Sequence, residues 1–110
     1  MKKEIIVIEI GSQRFWVNPL EPQYACDELG NLYHIGKDYL DATQLRSEVT
    51  EKGEFYFNHD GNRMREDLFI CLCFNPYQKS NIPTEVRHID GDVLNNTPSN
   101  LEWVFEEAIE

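Results

Sequence analysis

The chain has 110 residues, of which 41% are hydrophobic, so it is long enough for one domain with a modest core. Twenty acidic residues against ten basic ones leave a net charge of −10. A charge of this sign argues against binding to the phosphate backbone of nucleic acid, because that affinity depends on lysine and arginine.

The termini and the cysteines indicate a cytoplasmic protein. The longest apolar run at the start of the chain, EIIVIEI, is too short to cross a membrane, and Glu4 and Glu9 interrupt it, so no signal peptide is expected. The three cysteines include no C-x-x-C pair, which argues against a structural zinc site. We therefore expect buried, reduced thiols.

The first half of the chain is predicted to be rich in β-strands. Residues 3–18 read as a hairpin with Gly11-Ser12 at its turn, and residues 23–36 read as two short strands around a turn at 29–31. Residues 38–53, DYLDATQLRSEVTEKG, predict either a helix that Gly53 ends or a polar excursion.

The second half predicts another hairpin and one buried segment. Asp60-Gly61 suits a type I′ turn between two strands in residues 54–67. Residues 67–74, DLFICLCF, are apolar nearly all round, so periodicity leaves a buried helix and a buried strand open. Residues 75–85 then read as a polar loop with two prolines.

A distinctive segment closes the chain: EVRHIDGDVLNNTPSNLEWV, residues 85–104. Its order, together with the helix-like stretch and the proline loop before it, resembles the HNH endonucleases of phages and mobile introns. The resemblance covers about half the chain, from Glu54 onward. Upstream, YACDELGNLYHIG also resembles a segment that often precedes such cores.

The resemblance implies a fold. We expect one α+β domain over residues 1–110, with a β-rich part at 1–53 and an HNH-like part at 54–110. It would hold antiparallel hairpins, one buried helix near 67–74, and a truncated ββα unit at the C-terminus, because only FEEAIE follows the second strand.

The resemblance also assigns roles within that unit. His88 matches the catalytic general base and Asn100 matches the residue that orients it. Arg87 falls on the first metal-ligand position, and Ile109 falls on the last; neither side chain can ligate a cation. We therefore predict no metal and no cofactor. The alternative is a small nickase that uses Mg²⁺ or Mn²⁺, with His88 as its base.

Each of these residues also has a structural interpretation. His88 and Asn100 would hydrogen-bond each other and hold the loop between them. Arg87 would be structural: it would fill the vacant metal position and pair with Asp90 or a later glutamate. Asn95 and Asn96 would bond their own turn. Leu101, Trp103 and Val104 would pack the second strand, and His34 and His59 would lie exposed in turns.

The acidic residues suggest a binding function. After Arg87 the chain has six acids and no lysine or arginine, and we predict that these acids bind a partner. They are Asp90, Asp92, Glu102, Glu106, Glu107 and Glu110.

The predicted protein is thus a catalytically inactive, phage-derived inhibitor of the anti-CRISPR or anti-restriction type, with DNA mimicry as one mode of action. Its partner would be a host nuclease or a CRISPR effector in the cytoplasm of the host cell, with no binding to nucleic acid or membrane. Two alternatives are the nickase and a DNA-binding regulatory fragment of a homing nuclease. The first hairpin is exposed enough to pair with a copy of itself.

Overall fold

The first half of the chain forms an antiparallel sheet of five short strands, each paired with the next along the chain. A computed structural model describes residues 5–77 and 80–106. Short loops join the strands, as this order of pairing requires. The strands are β1 (Ile6–Ile10), β2 (Gln13–Val17), β3 (Tyr24–Cys26), β4 (Leu32–Ile35) and β5 (Ala42–Leu45).

Two turns in this sheet follow the local chemistry of the sequence. Gly11 has a φ of +64°, which suits the first central position of a tight hairpin turn between β1 and β2. Between β3 and β4, the buried Asp27 carboxylate accepts the backbone N–H groups of Leu29 and Asn31 at 3.0 and 2.9 Å. Both predicted hairpins are confirmed.

The prediction of a helix for residues 38–53 is wrong. That segment holds β5 and a further strand, β6 (Ser47–Val49). Ala42 and Leu45, three residues apart, are half-buried, and this spacing imitates a helical face. Pairing with other strands decides the outcome: Leu45 lies opposite Leu32 of β4, and β6 pairs with a strand that comes later in the chain.

The second sheet has three antiparallel strands in the order β6, β7 (Phe55–His59) and β8 (Asn62–Arg65). Asp60 and Gly61 join β7 to β8 with φ values of +50° and +81°, the conformation of the predicted type I′ turn. The boundary expected between residues 53 and 54 falls inside this sheet, since β6 precedes it and β7 follows it. The division into one domain with two parts stays a prediction.

One helix, α1 (Glu66–Phe74), follows β8 directly and confirms the buried helix predicted near 67–74. The buried face includes Phe69 and Ile70, and Asn75-Pro76 ends the helix. Glu66 and Asp67 lie in its first turn, where carboxylates interact favourably with the helix dipole. No helix within residues 5–77 and 80–106 is long and apolar enough to cross a bilayer.

The C-terminal segment forms two antiparallel strands, β9 (Glu85–His88) and β10 (Leu101–Val104), joined by a loop that ends in a 3₁₀ turn at Pro98–Asn100. Both strands of the predicted ββα unit are therefore present. The shortened helix, with Ile109, is predicted beyond β10 and lies outside the described residues. The same is true of two of the predicted binding acids, Glu107 and Glu110.

Two hydrophobic clusters hold these elements. The larger lies between α1 and all three sheets, and the smaller lies on the other face of the five-stranded sheet. The arrangement is an α+β fold of antiparallel sheets around one helix, as predicted. Buried members of the larger cluster are Tyr24, Cys26, Leu32, Phe57, Phe69, Ile70, Cys71, Cys73, Val86 and Leu101; those of the smaller are Phe15, Val17, Ala25 and Ile35.

The three cysteines are all buried and unbridged, as the sequence predicts for structural thiols. Burial raises the pKa of the Cys26 thiol, and its hydrogen bond with Cys73 raises it further. Burial also raises the pKa of Cys71, to about 12. These side chains therefore serve as small apolar residues of the core.

Candidate functional site

His88 is the last residue of β9 and lies half-buried at the mouth of the C-terminal loop. Its Nε2 is 2.7 Å from Oδ1 of Asn96, and Nδ2 of Asn96 donates to Oε2 of Glu66 at 2.6 Å. A carboxylate only accepts hydrogen bonds, so the amide of Asn96 turns its NH₂ to Glu66 and its oxygen to His88. Nε2 of His88 then carries the proton, which leaves Nδ1 as the basic nitrogen of the neutral ring.

Glu66 extends this network to the second sheet. Its Oε1 accepts a hydrogen bond from Oγ of Ser47 at 2.8 Å, so one carboxylate joins β6, α1 and the C-terminal loop. Glu66 has no recognisable signature in the sequence, because its partners lie 19 and 30 residues away. We refer to Ser47, Glu66, Asn96 and His88 as the histidine network.

Asn100, the predicted orienting residue, bonds the loop and not the imidazole. Its Oδ1 accepts the backbone N–H of Asp90 at 2.9 Å, and its Nδ2 donates to Oδ1 of Asp90 and to the carbonyl of Asn95, both at 2.9 Å. The expected bond between the side chains of His88 and Asn100 is therefore wrong, since Asn96 takes that place. The prediction that Asn100 holds the loop agrees with this geometry.

Asp90 is the other centre of the loop. Its carboxylate accepts from the Asn95 amide at 2.9 Å and from the backbone N–H of Asp92 at 2.8 Å, as well as from Asn100. These hydrogen bonds, with that of Asn95 the largest, hold the pKa of Asp90 below its usual value. The carboxylate thus stabilises the loop in its ionised form.

The asparagine pair divides between the two roles considered for it. Oδ1 of Asn95 accepts from the backbone N–H and the hydroxyl of Thr97, at 3.2 and 2.7 Å, which is the turn bonding expected of it. Asn96 is buried and belongs to the histidine network, so the same expectation is wrong for Asn96. Leu101 is buried in the larger cluster and Trp103 packs against it, as predicted for the second strand.

Arg87 lies on the outer face of β9. Successive side chains of a strand point to opposite faces, so Arg87 points away from the side on which Val86 and His88 lie. It forms an ion pair with Glu102, its cross-strand partner on β10, and 63% of its side chain is exposed. The pairing with a late glutamate is present, but the idea that the guanidinium fills the vacant metal position is wrong.

The residues at this site do not fit the divalent metal that an HNH fold implies. The first ligand position is a guanidinium, which has no lone pair to offer and faces away from His88. Glu66, which is linked to the imidazole through Asn96, and Asp90, two residues after His88 in the chain, each accept hydrogen bonds from asparagine amides. Within residues 5–77 and 80–106, no three His, Cys, Asp or Glu side chains gather in a way that would hold a metal ion.

Of the acidic residues predicted to bind a partner, the four that the structure describes extend along the strand pair and do not form one cluster. Asp90 and Asp92 are exposed in the loop beside His88. Glu102 lies on the outer face with Arg87, and Glu106 is exposed beyond the far end of β10. The described acids therefore border both ends of the two-stranded sheet.

The β3–β4 turn approaches this loop closely at a glycine. Gly30 has a φ of +89°, and a Cβ built on it would lie 2.9 Å from the carbonyl oxygen of Asn96. A side chain here would displace either the β3–β4 turn or the backbone of the histidine network. Gly30 lies in YACDELGNLYHIG, so this stretch packs against the loop between β9 and β10.

A second aromatic and imidazole cluster lies between the first two sheets. The rings of His34 and His59 stack with centroids 4.4 Å apart, and the Tyr24 hydroxyl lies 2.6 Å from Nδ1 of His59. The sequence placed both histidines in exposed turns. That is wrong, because His34 is in β4 and His59 ends β7, and both are half-buried. Only the pairing of sheets distant in sequence brings the rings together.

The fold has a counterpart among solved structures. No protein-family model matches the chain, and no curated protein matches it. A structure of the HNH homing endonuclease I-HmuI, described as showing DNA binding and cleavage, is similar with a TM-score of 0.60 and 22% sequence identity. The likeness is one of fold. It covers 83% of this chain and 52% of that chain, so this chain spans about half the length of the endonuclease.

Proposed function

We propose that this protein is a catalytically inactive HNH-like protein that binds and inhibits a nucleic-acid-processing defence protein of a host cell. The partner would be of the CRISPR-effector or restriction-nuclease kind, and the protein would be phage-derived. Its acidic surface would occupy a basic site built for nucleic acid. Charge complementarity of this sort steers association and weakens with added salt.

The observation that carries the proposal is the placement of Arg87. The residue before the histidine is a guanidinium that faces outward and pairs with Glu102, so the first metal-ligand position has been given to a surface contact. The histidine itself is bonded to Asn96, which Glu66 holds in turn. Such a site is stable without a metal, because its polar groups satisfy one another.

The charge supports the second half of the proposal. A net charge of −10 on 110 residues opposes the approach of DNA but favours the approach of a basic protein surface. Exposed Ile89, Val93 and Leu94 lie in the same loop as Asp90 and Asp92. Apolar side chains among carboxylates would give a partner contact area in addition to charge.

The first test is a plasmid-nicking assay with Mg²⁺ or Mn²⁺, run on the unmodified protein beside His88→Ala. We expect no nicking by either protein at low salt. Nicking that disappears in His88→Ala would contradict the proposal, because it would assign His88 the role of general base in a metal-dependent nickase.

The second test measures inhibition in cells. Expression of the protein should restore transformation by a plasmid that a resident CRISPR or restriction system attacks. The double variant Asp92→Lys with Glu106→Lys should lose this protection, since both side chains are exposed and make no ion pair that the structure records. The matched control, Glu48→Lys with Glu51→Lys, changes the net charge equally on another surface and should still protect.

A further inference from the structure

β1 is an edge strand whose outer backbone groups are unpaired within residues 5–77 and 80–106. Ile10 and Gln13 close a two-residue turn, so Ile6, Ile8 and Ile10 exchange hydrogen bonds with β2. The backbone N–H and C=O groups of Val7 and Glu9 therefore point away from the sheet. Together they present two donors and two acceptors in a row.

This edge differs from both edges of the second sheet. β8, an edge of the second sheet, carries Arg63 and Arg65, and β6, the opposite edge, has only three residues. Charged or short edges of this sort resist pairing with another chain. β1 is IVIEI, with five residues and a single charge, and about 43–44% of Ile6 and Val7 is exposed.

We propose that β1 pairs antiparallel with β1 of a second copy of this chain, about a two-fold axis at Ile8. Ile8 turns its own backbone groups to β2, so it forms the non-bonded pair at the axis. Val7 of each chain then lies opposite Glu9 of the other, and each pair exchanges two hydrogen bonds. The outward groups of Val7 and Glu9 are all satisfied, and the closed symmetry limits assembly to a dimer.

The side chains suit the same register. Ile8 would meet Ile8 of the second copy, and Ile6 would meet Ile10, on the face that carries the smaller hydrophobic cluster. Ile8 and Ile10 already pack against that cluster, so the second copy extends an existing core. The two sheets of five strands would become one continuous sheet.

The charges also agree with pairing at Ile8. Glu9 lies opposite Val7 of the second copy and not opposite the other Glu9, which avoids a direct repulsion between like charges. Within its own chain, Glu9 is the cross-strand partner of Arg14, which lies on the same face. A register centred on Glu9 would instead place the two carboxylates side by side.

The test is the mass of the full chain in solution, measured by sedimentation or by light scattering over a concentration series that ends near 1 mM, so that weak pairing is detected. We expect a concentration-dependent dimer. Val7→Pro removes two of the four intermolecular hydrogen bonds and no bond to β2, and should raise the dissociation constant at least about tenfold.

A matched control is available in the second sheet. Val49 lies on the edge strand β6 and is 57% exposed, and its N–H points away from β7, because Thr50 N–H bonds the carbonyl of Glu54. Val49→Pro should therefore remain dimeric. Val7→Lys, which leaves the backbone donors in place, provides a second variant in case proline disturbs the hairpin, and it should also weaken the dimer.

Four results would overturn the proposal. The first is a monomer over the whole concentration series, and the second is a mass that grows without limit. The third is a dimer that Val49→Pro disrupts and Val7→Pro does not. The fourth is a dimer unchanged by both Val7→Pro and Val7→Lys. Circular dichroism and thermal unfolding of each variant establish that it is folded before its mass is interpreted.

Discussion

The five-stranded sheet and the C-terminal loop are held by different kinds of interaction. The sheet buries apolar side chains on both faces, with Cys26 and Leu32 on one side and Phe15 and Val17 on the other. The loop between β9 and β10 turns Ile89, Val93 and Leu94 outward. It is held by hydrogen bonds among Asp90, Asn95 and Asn100 and by those that join Asn96 to His88 and Glu66.

If the protein is inactive, as proposed, this difference would explain how an HNH-like loop persists without nuclease chemistry. A hydrophobic core fixes the positions of strands but is indifferent to the polar groups at their ends. A network of amides and carboxylates fixes a loop only if each member finds its partner. Residues such as His88 and Asn100 then remain for their hydrogen bonds, whether or not they act on a substrate.

The largest effect should come from the sheet. Phe15→Ala removes a side chain that is 2% exposed and packs edge-on against Tyr33, with ring centroids 4.8 Å apart. We expect a loss of about 3–5 kcal/mol in the free energy of unfolding, measured by urea denaturation. Phe105→Ala, at an exposed phenylalanine, is the control and should change little. Equal losses in both variants would contradict the burial described for Phe15.

The loop should respond less strongly to the loss of its central amide. Asn96→Ala leaves His88 and Glu66 without the partner that joins them, and we expect a loss of about 1–3 kcal/mol. Asn58→Ala, on the exposed side of β7, is the control. If Asn96→Ala were as harmless as Asn58→Ala, the histidine network would not be what holds the loop.

Arg87→Ala should cost less still, about 1 kcal/mol or less, because both members of its ion pair are substantially exposed to water. The same urea measurement at low and high salt checks it, and salt should reduce the difference from the unmodified protein. The Asn96 side-chain amide NMR signals at a fixed pH should be unchanged in the variant. A clear change in those signals would instead place Arg87 in contact with the network.

The smallest effect is local and depends on pH. The pKa of Asp90 is lowered in the folded protein, so its contribution is complete above the ordinary aspartate pKa of about 3.9 and is lost as pH falls through the lower, folded value. In Asp90→Asn, the protection of the Asp92 amide against hydrogen exchange, relative to its intrinsic rate at each pH, should be lower at neutral pH and should no longer fall in acid. Asp38→Asn, in the β4–β5 loop, provides the comparison and should leave this amide unaffected.

The sequence predicts well what short-range chemistry decides. Gly11 and the Asp60-Gly61 pair each predict a turn that the structure contains. The apolar run at 67–74 predicts a buried segment, and it forms the buried helix. The two C-terminal strands are implied by the resemblance of the segment around His88 and Asn100 to the HNH core. The helix prediction for residues 38–53 failed because Ala42 and Leu45 are spaced as on a helix. Both residues in fact pair with β4 in the five-stranded sheet.

The site was harder to predict than the fold for the same reason. The sequence named His88 and Asn100, and both border the loop, but their partners differ from those expected. Glu66 lies 30 residues before Asn96, and nothing in the local sequence marks it as the group that orients the amide. Likewise, strand alternation places Arg87 on the far face from His88, which adjacency in sequence conceals.

The pairing of β6 with β7 has a consequence for how the chain can be divided. The turn at residues 50–54 joins these strands, and Ser47 on β6 also bonds Glu66 at the start of α1. A chain opened in this turn would yield one fragment carrying an unpaired strand and another with an incomplete sheet. Neither piece would be expected to fold by itself, but the two should reassemble when mixed, which makes this turn a natural point for fragment complementation.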